Sequence, residues 1–134
     1  MKKLRRLIIM LMISLCLFGL CACQGGENAD DLGYEQITQV KAKEIMDSGV
    51  EYILIDVRTE SEFDEGHIEG AILIPEYEIA SRAEQELPDK DTLILVYCRS
   101  GRQSKIASEE LVKLGYTNVK EFGGIIDWQY EIVK

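Results

Sequence analysis

The stretch from Thr92 to Gly115, TLILVYCRSGRQSKIASEELVKLG, constrains the fold more than any other part of the chain. Leu93 to Tyr97 is continuously apolar and partly β-branched, the composition of a strand covered on both faces, as in a parallel sheet. The run ends at Cys98. Beyond it the residues turn small and basic, and from about Gly101 helical spacing sets in, with Ile106, Ala107, Leu111 and Leu114 placed to face a core. Gly115 is the expected stop. A strand feeding a helix in this way sets a thiol at the carboxyl end of a buried strand, where open α/β sheets bind their ligands.

Ser100 and Gln103 have the spacing of a capping box, which predicts Ser100 as the helix N-cap and turns the free amides of the first turn toward the loop. Those amides and the helix dipole favour an anion, either a thiolate or a small oxyanion. Arg99, Arg102 and Lys105 add positive charge close to Cys98. A helix N-terminus and neighbouring cations both lower a cysteine pKa, so the sequence predicts an ionised, nucleophilic Cys98 at neutral pH. The simpler alternative is a buried apolar cysteine.

Elements of the same kind flank this unit. Thr38 to Ser48 is spaced as a helix through Ile37, Val40, Ile45 and Met46, and Glu51 to Val57 holds a second buried-strand candidate in Ile53-Leu54-Ile55. Thr59 and Glu62 form a capping box that opens a short helix closed at Gly66. Ala71 to Ile74 reads as a strand, Pro75 opens a helix to Leu87, and Pro88 ends it. Val119 to Phe122 is the last expected strand, and Gly124 to Ile132 an expected terminal helix holding Trp128, whose ring with Ile125 and Ile126 is read as core packing. Strands alternating with helices imply a mostly parallel sheet with both faces covered. Asp56 and Arg58 are two apart and leave their strand on the same side, which favours an ion pair bracing the strand end over a pair of substrate ligands. His67, the single histidine, could pair with Cys98, but its setting between Gly66 and Ile68 suggests a turn entering a strand.

The run Cys98-Arg99-Ser100-Gly101-Arg102-Gln103-Ser104 resembles the active-site loop of the rhodanese sulfurtransferases, which begins at the catalytic cysteine and curls round it. Further hallmarks follow in order: Ile55-Asp56-Val57-Arg58 with Glu60 and Phe63, Gly66-His67-Ile68, Gly70-Ala71, Ile74-Pro75, and Gly123-Gly124 with Trp128. The resemblance runs from about Tyr34 to Lys134. It implies a rhodanese-like α/β fold with about five strands, a catalytic Cys98, and substrate contacts from Arg99, Ser100, Gly101, Arg102, Gln103 and Ser104. It also implies loop support from Asp56, Arg58 and Glu60, and no catalytic role for His67. The implied reaction passes sulfur from a small anionic donor such as thiosulfate to a thiol or cyanide through a persulfide on Cys98, with no cofactor. Many relatives carry arginine at the sixth loop position, where this chain has Gln103.

Two other functions use a similar loop. Cysteine-dependent phosphatases need Cys-x5-Arg for bidentate hold on phosphate, and that position here is Ser104. A non-catalytic binding module or redox sensor on the same scaffold is the alternative from another class, since a low-pKa thiol also suits a sensor.

Residues 1–22 read as a lipoprotein signal peptide. Lys2, Lys3, Arg5 and Arg6 form a positive start, and Leu7 to Leu20 is an apolar run short for a membrane span. Leu20-Cys21-Ala22-Cys23 resembles a bacterial lipobox, which makes Cys23 the expected lipidated N-terminus, with Cys21 a poorer choice and ordinary secretion or an uncleaved anchor the alternative. Residues 23–33 read as a flexible tether and 34–134 as the domain. Four of the 15 basic residues and none of the 24 acidic ones lie in the leader, leaving 11 basic against 24 acidic. That balance argues against nucleic acid and polybasic membrane binding. The expected setting is extracytoplasmic, anchored to a bacterial membrane through the lipid. Once the leader is gone Cys98 is the sole free thiol, flagged as reactive, and with His67 it is too little for a metal site.

Overall fold

A computed structural model describes residues 32–134, so the leader and the lipidation candidates Cys21 and Cys23 lie outside the described residues. Five strands form one sheet in the order β1-β5-β4-β2-β3: β1 Glu35–Gln36, β2 Ile53–Asp56, β3 Ile72–Leu73, β4 Ile94–Cys98 and β5 Val119–Gly124. Every neighbouring pair is parallel. The helices are α1 Gln39–Asp47, α2 Glu60–Glu65, α3 Ile79–Glu86 and α4 Arg102–Lys113, with single 3-10 turns at Glu76–Glu78 and Ile125–Asp127.

Side-chain alternation along the central strands builds two cores. Ile53, Ile55 and Val57 with Ile94, Val96 and Cys98 face one side, where they meet Ile79, Ala83 and Leu87 from α3 and its end and Ala107 and Leu111 from α4. Leu54, Leu95, Tyr97 and Phe122 face the other, against Ala42, Ile45 and Met46 of α1 and against Trp128. All five residues of β4 are buried, which accounts for the uninterrupted apolar run. Because the strands are parallel, the carboxyl ends of β2, β3, β4 and β5 share one edge of the sheet, and the segments after them gather there.

The sequence expectations need four corrections. The terminal helix forms only as the turn Ile125–Asp127; the chain then extends, and Val133 pairs antiparallel with His67. The helix expected from Pro75 begins as a 3-10 turn and becomes α-helical at Ile79. Ile106 is 42 % exposed and Ile126 62 % exposed, so neither joins a core. In place of Ile106, α4 buries Ser104, Ala107, Ser108 and Leu111, an i, i+3, i+4, i+7 stripe half made of serine. Strand β1 was not anticipated: two exposed residues carry no periodicity, and only pairing with β5 makes them a strand.

The capping box of α2 does form. Thr59 Oγ1 accepts from the Glu62 amide at 3.4 Å, and Glu62 Oε2 accepts from the Thr59 amide at 3.2 Å. Thr59→Ala should cost about 1 kcal/mol, which for a domain of this size lowers the melting temperature by roughly 4–8 °C. An unchanged thermal transition would show that the cap contributes nothing.

Candidate active site

Strand β4 delivers Cys98 to the shared edge. Its pairing with β5 shifts register between Val96 and Cys98, so that Cys98 stands opposite Gly124. The chain then turns sharply, and the turn depends on Gly101. Its φ of +95° is a left-handed conformation that side chains resist, and with it the Gly101 amide points back to donate to Cys98 Sγ at 3.0 Å. This overturns the expected capping box: Gly101 is the N-cap of α4, no side chain caps the helix, and Ser100 is exposed. The amide that reaches the sulfur is that of Gly101, which the Ser100 and Gln103 box does not involve.

Cys98 is 1 % exposed, packed against the α3 and α4 core on one side and held by an amide on the other. Arg99, Ser100 and Arg102 are exposed, Gln103 is half-buried and Gly101 is buried. Among the described residues, the side chains of Arg99, Arg102, Gln103 and Lys105 make no hydrogen bond or ion pair to the protein, which leaves three cations free to meet an anion at the rim. A cleft of about 360 Å³ opens beside the loop, lined among others by Gln39, Ser100, Gly101, Lys105, Glu121 and Asp127. A larger groove of about 730 Å³, walled by Tyr52, Trp128 and Tyr130, involves no residue of the loop.

Ser104 was expected to face the substrate. It is fully buried and turned toward β5, where its hydroxyl donates to Glu121 Oε1 at 2.6 Å. Glu121 is 3 % exposed and also accepts from the Gly123 amide at 2.8 Å. Sequence reasoning missed this residue although a signal was present: Glu121 is two places from Val119 and so faces the same side of the sheet, toward α4. The other close support is Gly124. A Cβ there would lie 2.0 Å from the Arg99 carbonyl oxygen and 2.4 Å from the Ser100 nitrogen, so the loop backbone rests directly on the end of β5.

Asp56 and Arg58 sit one strand away. Arg58 Nη2 reaches Asp56 Oδ2 at 2.7 Å and the Gly66 carbonyl at 2.7 Å, while Nε lies 3.0 Å from both carboxylate oxygens. Burial works against the guanidinium charge, but the hydrogen bonds and charge of Asp56 more than offset it, so the Arg58 pKa is raised. The pair lies beside Tyr97, the residue before Cys98: Asp56 is its register partner and the Val57 amide donates to its carbonyl at 3.1 Å. Burial, with Asp56 adding to it, also pushes the Tyr97 pKa up, which keeps the hydroxyl neutral where it accepts from the Ile68 amide at 3.1 Å. Glu60 is exposed at the first position of α2 and has no hydrogen bond to the Cys98 loop. His67 stacks on Phe63 with ring centroids 3.7 Å apart, its Nδ1 3.0 Å from the Phe63 carbonyl, and has no hydrogen bond to Cys98.

Known proteins share this architecture. Residues 38–131 match the Rhodanese-like domain family. The thiosulfate sulfurtransferase PspE of Escherichia coli is 44 % identical over 73 residues, which cover 54 % of this chain and 70 % of PspE. A sulfurtransferase of Allochromatium vinosum is 40 % identical over 77 residues, 57 % of this chain and 70 % of the relative. A solved rhodanese with anions from E. coli superposes with a TM-score of 0.59 at 40 % identity, covering 63 % of this chain and 99 % of the other. With a parallel sheet of matching topology, a cysteine at the end of its central strand and a family match that takes in the whole loop, the chain belongs to the rhodanese-like domain family.

Proposed function

We propose that this protein is a sulfurtransferase that carries sulfane sulfur on Cys98. The observation that carries the reading is the Gly101 amide donating to Cys98 Sγ at the mouth of the sheet. A main-chain donor aimed at the sulfur stabilises negative charge there without a general acid, and a persulfide moves that charge only one atom outward. A donor approaches across the exposed face of the loop, where Arg99, Arg102 and Lys105 offset the negative charge of the chain locally. With thiosulfate, the Cys98 thiolate attacks the outer sulfur, the S–S bond breaks, sulfite leaves, and Cys98 retains a persulfide anion. A thiol, or cyanide in an assay, then takes the sulfur. Support also comes from the names carried by PspE and the A. vinosum relative.

The setting belongs to the same proposal. A leader ending at Leu20-Cys21-Ala22-Cys23 supports cleavage before Cys23, lipid on that cysteine, and a domain held outside the cytoplasm by the tether. Fatty-acid labelling of wild type and Cys23→Ala tests this; equal labelling of the two removes the anchor.

Incubation with thiosulfate followed by intact mass tests the chemistry. Wild type is expected to gain the mass of one sulfur atom and Cys98→Ser none. No gain on wild type across the neutral range leaves the buried thiol as part of a sensor or binding module instead.

A further inference from the structure

Of the two buried acidic side chains among the described residues, Asp56 is neutralised by Arg58, whereas Glu121 takes part in no ion pair. Its Oε1 is held as an acceptor by the Ser104 hydroxyl at 2.6 Å and the Gly123 amide at 2.8 Å, dipoles that steady the charge without cancelling it. The carboxylate lies under Gly101: a Cβ on that glycine would fall 3.9 Å from Glu121 Oε1, and the same glycine's amide touches Cys98 Sγ. Glu121 also lines the cleft that Ser100, Gly101 and Lys105 open beside the loop. A loop built to collect negative charge is thus backed by a fixed negative charge. The cations that could balance it are exposed, where water weakens them, and Gln103 within the loop is neutral.

We propose that Glu121 sets the specificity of this loop, disfavouring doubly charged donors such as thiosulfate and leaving neutral or singly charged ones, of the class R–S–SH, as the better substrates. Repulsion grows with the charge of the donor, so a dianion meets it twice over and a neutral hydropersulfide hardly at all. The step balances within the protein and donor: the Cys98 thiolate attacks the outer sulfur, the donor S–S bond breaks, RS⁻ leaves, and Cys98 carries S–SH. This rests on the sulfurtransferase reading above.

Glu121→Gln tests it, since the amide oxygen can accept the same two hydrogen bonds while the charge is gone. Measured by intact mass in single turnover, kcat/KM for loading from thiosulfate should rise about tenfold, chiefly through KM, while loading from cysteine hydropersulfide changes less than about twofold. Ser104→Ala, which keeps the charge, should not raise the thiosulfate preference. Equal changes with both donors, or slower loading from thiosulfate in Glu121→Gln, would overturn the proposal. A measurement on wild type stands apart from any variant's folding: methanesulfonate should protect Cys98 from iodoacetamide at lower concentration than sulfate, at matched ionic strength, and the reverse order also overturns it. Loading of wild type from neither donor ends the sulfurtransferase reading and this inference together; loading with an unaltered donor ratio in Glu121→Gln ends the inference alone.

Discussion

Gly124→Ala is expected to disable the Cys98 loop and to destabilise the domain with it. The φ of Gly124 is −130°, an extended conformation open to any residue, so the requirement for glycine is one of space. The added methyl would stand 2.0 Å from the Arg99 carbonyl oxygen, 2.3 Å from its carbon and 2.4 Å from the Ser100 nitrogen, all of them backbone. No rotamer change relieves that overlap; the end of β5 and the loop must separate. Overpacking of this kind costs about 3 kcal/mol, which in a domain of about 100 residues lowers the melting temperature by roughly 15 °C. Separation also draws the Gly101 amide away from Cys98 Sγ, and a displacement of about 1 Å at a reacting group costs about 100-fold in rate. Differential scanning calorimetry and sulfur loading by intact mass measure the two effects. A variant that melts and loads like wild type would mean that the loop does not rest on Gly124.

The second large effect is thermodynamic. Arg58→Ala leaves Asp56, which is wholly buried, with only the backbone amide of residue 58 and no balancing charge, and leaves the Gly66 carbonyl without its guanidinium donor. Removing one member of a buried pair costs about 3–5 kcal/mol, because the remaining charge is stranded in a medium of low polarity. Against a total stability of about 5–15 kcal/mol, that brings the domain close to unfolding. Arg58→Lys should fall in between, since one ammonium cannot span both carboxylate oxygens and the Gly66 carbonyl together. Replacing both members, Asp56→Leu with Arg58→Met, should recover most of the loss. Urea unfolding of the four proteins decides it. A single variant within about 1 kcal/mol of wild type would show that the pair is ornamental.

Much of this molecule is written in local pattern. The apolar run before Cys98, the spacing of Thr59 and Glu62, and the pair Asp56 and Arg58 each depend on neighbours a few residues away, so a strand, a capped helix and a braced strand end could be read directly from the chain. The parallel α/β class follows from their alternation. Cys98 and its small, basic sequel were legible for the same reason. The terminal helix was misread because Ile125, Ile126 and Trp128 mimic helical spacing, while what directs that segment is the pairing of Val133 with His67, some sixty residues away.

Contacts of that range decided the rest of the site. Ser100 has the chemistry of an N-cap, yet Gly101 takes the position because its amide has a sulfur to reach and glycine alone enters that conformation cheaply. Ser104 has the place of a loop ligand, yet α4 packs on β5 and buries it against Glu121. The sequence by itself determined the class of fold, the place of Cys98 at the end of the central strand and the polarity of the loop after it, all of which rest on periodicity and on chemistry within one turn of the chain. Only the tertiary structure decided which side chains back that loop, because a carboxylate at position 121 and a glycine at 124 acquire their roles from the helix and the turn brought against them, and the strength of those contacts depends on distance in space.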